Sequence, residues 1–305
     1  MNSHHYSRLF LLIGVVKFCL SNGLSISKWE PFNEVDDTSP SDFIDIHAFG
    51  ENAFIDPDDE ITGKLVAQYN RTSNQNPEEL GAYFEGDIRM PFHMYSRNGL
   101  VTQPTLWPKG VVPYEIAGTF DSNGLAAIKL AFDEYHKRTC IRFKLRSREK
   151  DYISIVNGRS GCWSSVGRIG GKQEVNLQSP QCLMKRGTPL HELMHVLGFI
   201  HEQNRYERDS YIIVRPENIK ENMKVNFIKS SQQSAQGLMG IGYDYTSVMH
   251  YSATSFSKNG KPTIEPRRIT RESRFMGQRS GFSRADVAKI NVMYNCKSIN
   301  VLDDS

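Results

Sequence analysis

The sequence predicts an α+β domain with two lobes flanking a cleft. Helix and strand patterns alternate from residue 107 to residue 198. The chain then loses this periodicity until residue 283, where a last helical pattern begins. Ordered elements followed by a long irregular stretch indicate one lobe with a sheet and helices and a second lobe made mostly of loops.

The first 23 residues are typical of a secretory signal. Arg8 precedes the apolar run of residues 9–16, and small residues follow at positions 21–25. The alternative is a short membrane anchor, but a membrane span needs about 20 apolar residues. No later segment is long and apolar enough to cross a membrane, so the sequence predicts a secreted protein.

Residues 24–97 form an acidic segment ahead of a basic domain. The segment holds 15 Asp and Glu against 5 Lys and Arg, whereas residues 98–305 hold 19 acidic and 30 basic residues. The opposite charges predict that the segment packs on the domain, although its residues 24–80 are expected to be extended or disordered. Asn70 begins a glycosylation acceptor. The basic residues are scattered and accompany no nucleic-acid motif, so no nucleic-acid partner is expected.

Four strands and one helix are predicted in the first half of the domain. The strands are expected at residues 111–116, 141–145, 152–156 and 174–177. A helix that starts near Asn123 and Gly124 is expected to bury an apolar face, made of Leu125, Ile128, Leu130, Ala131, Phe132 and Tyr135. The glycine-rich residues 167–171 are typical of an exposed hairpin bend.

Two further helices have recognisable start signals. Thr188 offers an N-cap hydroxyl and is followed by proline, and this helix is expected to end at Gly198. Residues 283–286 form a capping-box-like start for a final helix. The residues of that helix expected inside are Val287, Ile290, Val292 and Tyr294.

Residues 191–201 read HELMHVLGFIH and indicate a catalytic zinc site. His191 and His195 are four residues apart, so they lie on one helix face with Glu192 between them. Gly198 permits a sharp turn, after which His201 can supply a third nitrogen. Three histidines with one open position are typical of catalytic zinc, because structural zinc sites are usually closed by four protein ligands.

The motif also indicates what such a site does. Zinc lowers the pKa of a bound water and polarises a carbonyl, and Glu192 is placed to take the proton of that water. A histidine pair with this spacing can occur by chance on a surface helix. The added Gly198 and His201 disfavour that alternative, because together they form the metzincin pattern.

The five cysteines divide into one in the signal and four in the rest of the chain. Cys19 is expected to be lost with the signal, and the other four allow three pairings. We favour Cys162 with Cys182 as a local loop and Cys140 with Cys296 as a staple to the C-terminal end. A cysteine-rich second metal site is disfavoured because the chain contains no C-x-x-C pair.

A second motif, SVMHY, follows at residues 247–251. Met249 is expected to form a soft hydrophobic floor beneath the three imidazoles. A lone methionine is usually an ordinary core residue. Its distance from His201 and its neighbours favour the functional interpretation here.

Together these motifs make the chain similar to the astacin family of secreted zinc endopeptidases, within the metzincin clan. The resemblance covers about residues 84–296 and includes the stretches 106–114, 161–167, 191–209, 247–251 and 277–279. One departure is Glu207, where the family commonly has aspartate. The resemblance implies an N-terminal lobe with a twisted mixed sheet and two long helices. It implies a C-terminal lobe that is mostly irregular with a final helix.

The resemblance assigns roles to the motif residues. It makes His191, His195 and His201 the ligands of one zinc ion per chain and Glu192 the general base. It makes Tyr251 a further ligand that can swing away and hydrogen-bond the oxyanion of the transition state. The disulfides of the family match the two pairs favoured above.

The resemblance also implies that the acidic segment keeps the enzyme inactive. Residues 84–87 read FEGD and match the inhibitory F-x-G-D motif of the family, in which Asp87 binds zinc in place of the catalytic water. Activation then requires another protease to cut after Arg97. The new amine of Asn98 is expected to meet Glu202 in a buried ion pair that forms only after cleavage.

The sequence therefore predicts a zymogen with three parts, which are a signal peptide at 1–23, a propeptide at 24–97 and a zinc peptidase domain at 98–305. We expect a secreted monomer that hydrolyses internal bonds of protein or peptide substrates lying along a sheet edge. The alternatives are a catalytically silent protease-like binding protein and a zinc hydrolase of non-peptide substrates. The first is disfavoured because every catalytic position is present, and the second because the family has a wide cleft.

Overall fold

A five-stranded mixed sheet forms the framework of the first lobe. It is seen in a computed structural model that describes residues 59–90, 105–230 and 240–297. The strands are β1 (Val111–Ile116), β2 (Arg142–Leu145), β3 (Tyr152–Val156), β4 (Cys162–Ser164) and β5 (Lys172–Leu177). Their order is β2-β1-β3-β5-β4, and every pair is parallel except β4 with β5. The short antiparallel β4 therefore lies at one edge of the sheet.

The predictions for the four longer strands are confirmed. β1 and β3 have the predicted bounds, and β2 and β5 differ from them by one or two residues at one end. The sequence does not predict β4, because three residues are too few to show the period-two alternation of a strand. The predicted bend joins β4 to β5, and its last residues, Gly170 and Gly171, have φ of 88° and 68°, which favours glycine.

Four α-helices accompany the strands in the described residues. They are α1 (Asp59–Ala67), α2 (Ser122–Arg138), α3 (Gly187–Val196) and α4 (Arg284–Met293). The two helices of the first lobe, α2 and α3, contain 17 and 10 residues. The side chain of Asp121 caps α2 by accepting a hydrogen bond from Gly124 N at 2.7 Å.

The predicted apolar face of α2 is partly wrong. Leu125 and Leu130 are 43% and 57% exposed. The residues of that face that are buried are Ile128, Ala131, Phe132 and Tyr135. Successive residues are about 100° apart around a helix, so Leu130 lies almost opposite the stripe that the buried residues form.

The helix α1 corrects the prediction that residues 24–80 are extended or disordered. Residues Asp59–Ala67 are helical, and the residues before them lie outside the described part of the chain. Val66 is fully buried in the hydrophobic core of the domain. Gly63 lies so close to the domain that a Cβ there would be 1.8 Å from Arg159 O. Packing on the domain therefore stabilises a helix that is too short to persist alone.

Two hydrophobic clusters correspond to the two lobes. The first lies between the sheet, α2 and α3 and includes Phe132, Ile155 and Leu193. The second contains Ile212, Ile219, Phe227, Tyr243, Tyr251, Phe256 and Ile264. The second lobe has a two-stranded antiparallel sheet, β6 (Ile212–Val214) with β7 (Ile264–Pro266). Its other described residues before α4 form short 3₁₀ helices, turns and loops, so the two-lobed α+β architecture is confirmed.

The final helix α4 begins with the predicted capping box. Ser283 Oγ accepts a hydrogen bond from Asp286 N, and Asp286 Oδ2 accepts one from Ser283 N, each at 2.9 Å. Val287 and Ile290 are buried, as predicted, and belong to the first cluster. The end of the chain therefore packs back onto the sheet lobe.

The prediction for the end of α4 is partly wrong. Val292 is 52% exposed, because it is two residues beyond the buried Ile290 and points away from the core. Tyr294 lies just past the last helical residue, Met293, and is only half-buried. Its hydroxyl donates a hydrogen bond to Leu197 O at 2.9 Å, beside the end of α3.

Both favoured disulfides are present. Cys162–Cys182 spans 20 residues and Cys140–Cys296 spans 156 residues. The second bridge ties a residue two positions before β2 to a residue three positions after α4 and restrains the unfolded chain. Among the described residues, no helix combines the length and the apolar character that a membrane span requires.

Candidate active site

The helix α3 carries three of the predicted site residues and is buried along its whole length. It begins at Gly187, so the prediction that Thr188 is the N-cap is wrong. Thr188 lies inside the first turn, and its hydroxyl donates to Glu78 Oε2 at 3.2 Å. A Cβ at Gly187 would lie 2.5 Å from the backbone of Arg279. Close packing at this end, and not a side-chain cap, therefore determines where α3 begins.

Gly198 ends the zinc-motif helix with a tight turn. Its φ is 110°, a conformation that favours glycine. Gly198 N donates to His195 O at 2.8 Å and Phe199 N donates to Met194 O at 3.2 Å, which is the pattern of a Schellman motif. The turn reverses the chain and brings His201 next to the two histidines of α3.

The three predicted zinc-ligand histidines converge in the structure. The Nε2 atom of His191 lies 3.1 Å from that of His195 and 3.2 Å from that of His201. All three rings are almost completely buried. Asp87 completes the group, since its carboxylate oxygens lie 3.0, 3.3 and 3.4 Å from the three Nε2 atoms.

A hydrogen bond at the opposite ring nitrogen orients each imidazole. His191 Nδ1 contacts Val248 O at 2.8 Å and His195 Nδ1 contacts Phe199 O at 2.7 Å. His201 Nδ1 contacts Glu85 Oε2 at 2.7 Å. A carbonyl or carboxylate oxygen only accepts, so each Nδ1 is the donor, and a ring in its neutral form then has its lone pair on Nε2.

This donor set fits zinc. Three Nε2 lone pairs that point at one another repel unless a cation lies among them. Nitrogens bound to tetrahedral zinc at about 2.0 Å are about 3.3 Å apart, close to the spacing seen here. Burial and the charge of Arg279 lower the pKa of His191 to about 4, which keeps that ring neutral and able to bind a metal.

The carboxyl group of Asp87 is held in the ionised form. Burial alone would raise its pKa, but positive charge on His201 and His195 outweighs burial and lowers the pKa well below its usual range, and a cation bound among the rings would act in the same direction. Within the described residues, its Oδ1 atom is buried without a hydrogen-bond partner. A buried carboxylate with an unsatisfied oxygen, facing three imidazole nitrogens, is suited to bind a cation.

Glu192, the predicted base, lies beside this cluster and is fully buried. Its Oε2 accepts a hydrogen bond from Ser164 Oγ at 2.8 Å, whereas its Oε1 is buried and has no hydrogen-bond partner in the part of the chain that the structure describes. Burial, reinforced by the negative charge of Asp87, raises the pKa of Glu192 well above its usual value. One oxygen is thus fixed and the other is available for proton transfer.

The predicted Met-turn is buried and lies behind the histidines. Its backbone supplies Val248 O to His191, and its first residue, Ser247, donates its hydroxyl to Asp286 Oδ1 at 2.5 Å. Asp286 Oδ2 also accepts from Val248 N at 2.9 Å. The sequence indicates Asp286 only as a helix cap, because its second contact depends on the fold. The role of Met249 as a floor under the rings stays a prediction.

Tyr251 is close to the cluster but is engaged with the acidic segment. Its ring lies 4.5 Å from the ring of His201, measured between centroids. Its hydroxyl donates a hydrogen bond to Glu85 O at 2.5 Å. Burial raises its pKa well above the usual value, so the hydroxyl keeps its proton. Its roles as a metal ligand and an oxyanion donor stay predictions.

Glu202 has partners that the sequence does not predict. Its Oε2 accepts from Lys289 Nζ at 2.6 Å and its Oε1 accepts from Asp244 N at 2.9 Å. Arg97 and Asn98, which are expected to form the activation site, lie outside the described residues. Glu202 is buried, so it is not an ordinary surface carboxylate.

The acidic segment also has a second contact region, which the sequence does not predict. Glu78 forms an ion pair with Arg279, and both side chains are completely buried. Glu79 accepts hydrogen bonds from Ser252 N at 2.7 Å and Ser252 Oγ at 2.6 Å. Glu78 and Arg279 are 201 residues apart in the chain, so no local sequence signal could have paired them.

The fold and the three-histidine centre define a zinc metallopeptidase domain of the metzincin type. A family model, that of the astacin peptidase family, matches residues 99–295. The chain therefore belongs to the astacin family, and its cofactor is zinc.

Individual relatives agree with this assignment. Zinc metalloproteinase nas-13 of Caenorhabditis elegans is 42% identical over 225 residues, which is 73% of this chain and 48% of the relative. Zinc metalloproteinase nas-6 of the same organism is 41% identical over 226 residues, or 70% and 63% of the two chains. This chain thus spans about half to two thirds of the length of these curated relatives.

A solved structure is also similar. High choriolytic enzyme 1, a hatching enzyme zinc-protease from the medaka fish Oryzias latipes, is 40% identical with a TM-score of 0.57. The match covers 63% of this chain and 94% of the medaka chain. The likeness supports the assignment of the fold and the family.

Proposed function

We propose that this protein is a secreted zinc endopeptidase that is made as an inactive precursor. The observation that carries the proposal is the convergence of three buried Nε2 lone pairs beside a glutamate with one free oxygen, in a chain of the astacin family. His191, His195 and His201 would hold the zinc ion. When bound, zinc supplies Lewis-acid chemistry that activates water and polarises the scissile carbonyl.

Two residues beside the three histidines have the other catalytic roles, which are proton transfer and binding of the oxyanion. Glu192 takes a proton from the attacking water through its free Oε1 and passes it to the leaving amine. Tyr251 donates its hydroxyl proton in a hydrogen bond to the oxyanion once Glu85 has left.

Protein or peptide substrates would bind along the edge strand β4. Ser164 of that strand donates from its backbone N to Asp87 O at 3.0 Å, and Arg89 N donates to Ser164 O at 2.9 Å. The acidic segment therefore already adds a stretch of backbone to this edge. An extended substrate would take its place after activation, which is strand addition.

The acidic segment, which we assign to residues 24–97, would block the site in the precursor. Support comes from Asp87, whose carboxylate lies against all three histidines. A cut after Arg97 would release the segment and leave the mature domain at 98–305. The new amine of Asn98 would then join Lys289 at the buried carboxylate of Glu202.

Secretion, with a signal at residues 1–23, is supported by the two disulfides, because such bridges persist in oxidising compartments. Asn70 is exposed, and its Oδ1 accepts a hydrogen bond from Thr72 N at 3.0 Å, so the glycosylation acceptor is accessible. One chain supplies every proposed site residue, which is consistent with a monomer.

The proposal is tested by peptide hydrolysis before and after a cut at Arg97. We expect the cut protein to cleave internal bonds of unfolded proteins, and a chelator followed by zinc should abolish and then restore that activity. Tight peptide binding without turnover would indicate the silent binding protein instead. Turnover of non-peptide esters alone would indicate a different zinc hydrolase.

A further inference from the structure

The edge strand β4 contacts the catalytic centre through one side chain. Ser164 is the last residue of β4 and is completely buried. Its Oγ lies 2.8 Å from Glu192 Oε2 and 2.9 Å from Glu192 O. The hydroxyl has one proton, and a carboxylate accepts it more strongly than a neutral carbonyl does.

This contact makes the two oxygens of the Glu192 carboxylate different, because only one of them is hydrogen-bonded. Oε2 is occupied by Ser164, whereas Oε1 has no hydrogen-bond partner within the described residues although it is buried. A carboxylate with one oxygen fixed cannot rotate freely about its last bond. The free oxygen is therefore held in one direction, as a base needs for a short proton transfer.

We infer that Ser164 is a positioning residue, which fixes Glu192 Oε2 so that Oε1 faces the reacting water. The inference rests on the proposed function of Glu192 as the base. The same serine donates its backbone N–H to the segment that lies along β4. Ser164 therefore contacts both the backbone that lies along β4, through its N–H, and the carboxylate of the base, through its hydroxyl.

The matched control is another buried serine of the same sheet. Ser154 on β3 is also completely buried, and its Oγ donates to a glutamate, Glu115 Oε1, at 3.0 Å. Ser154→Ala therefore removes the same kind of hydrogen bond without touching Glu192. Any general effect of losing a buried hydroxyl would appear in both variants.

The first test compares steady-state kinetics of the zinc-loaded protein cut at Arg97. For Ser164→Ala we expect kcat to fall about tenfold, the scale of one charge-assisted hydrogen bond, with KM and zinc content unchanged. Ser164→Thr, which retains the hydroxyl, should restore most of the loss, and Ser154→Ala should keep the wild-type kcat. If Ser164→Ala fails to fold, Ser164→Cys takes its place, because it keeps the volume and lacks a strong donor.

The second test asks whether Ser164 acts through Glu192. Glu192→Asp shortens the side chain by one methylene and takes the carboxylate out of reach of Ser164. In that background Ser164→Ala should reduce the residual kcat by less than about twofold, because coupled residues are not additive. An equal loss in both backgrounds, or a change in KM alone, would overturn the inference. Inactivity of the wild-type protein would instead count against the proposed function itself.

Discussion

At the scale of single residues, the metal site depends on the hydrogen bonds at Nδ1 of each histidine as well as on the histidines themselves. Val248 O and Phe199 O orient two of the rings. Glu85, which belongs to the acidic segment, orients the third ring, that of His201. Partners of this kind set the tautomer and direction of a ligand. His201 therefore has to find another Nδ1 partner, or water, when the segment leaves.

Glu192 gives the sharpest prediction at this scale. Glu192→Ala should retain zinc and the fold, because the three imidazoles do not depend on the carboxylate. Its kcat should fall about 10²–10⁴-fold, the usual contribution of a general base. Kinetics and elemental analysis of the variant after the Arg97 cut provide the measurement. Turnover at the wild-type rate would refute the assignment of the base.

Sequence spacing predicts the site residues that lie close together in the chain. His191, Glu192 and His195 follow from the period of a helix, and His201 follows from the glycine turn. Ser164 and Arg279 do not, because only the folded chain brings them to the centre. Leu130 is an error of the other kind, because it is predicted to be buried and is exposed. An apolar residue within a helix is not always on its buried face.

At the scale of elements, carboxylates of the acidic segment contact the domain at two separate places, in addition to the docking of α1. Asp87 faces the three histidines, and Glu78 forms the buried ion pair with Arg279. The carboxylate of Glu79 satisfies the backbone and hydroxyl of Ser252. The ion pair is shielded from solvent, so removing one partner would leave an uncompensated buried charge.

These two contacts predict a stepwise loss of inhibition. Zinc-loaded, uncut Asp87→Ala should hydrolyse peptides, because its segment no longer occupies the metal site. Adding Glu78→Ala should raise that activity further by loosening the segment. Glu60→Ala is the matched control, since it removes an exposed carboxylate of the same segment. A silent, uncut Asp87→Ala protein that still contains zinc would argue against this inhibitory role.

The elements that sequence analysis misses share one property, which is dependence on tertiary packing. β4, β6 and β7 contain three residues each, too few for a periodic signal. α1 exposes Ile61 and Leu65 and has only nine residues, so it is stabilised mainly by docking on the domain. The longer strands and α3 have periodic or motif signals of their own.

At the scale of the whole molecule, the catalytic centre lies where the two hydrophobic clusters meet. The helix α3 belongs to the first cluster, and Tyr251 belongs to the second, with its ring against His201. Asp286 connects the start of α4 to the turn that supplies Val248 O. The position of the third ligand relative to the first two therefore depends on how both lobes pack.

The zinc content of the protein cut after Arg97 tests the central claim most directly. Elemental analysis should find about one zinc per chain, held by the three imidazoles. His195→Ala should lose both the zinc and the peptidase activity while its circular dichroism stays that of a folded protein. Correctly folded, matured protein that contains no zinc, or that hydrolyses peptides at full rate without it, would contradict the account.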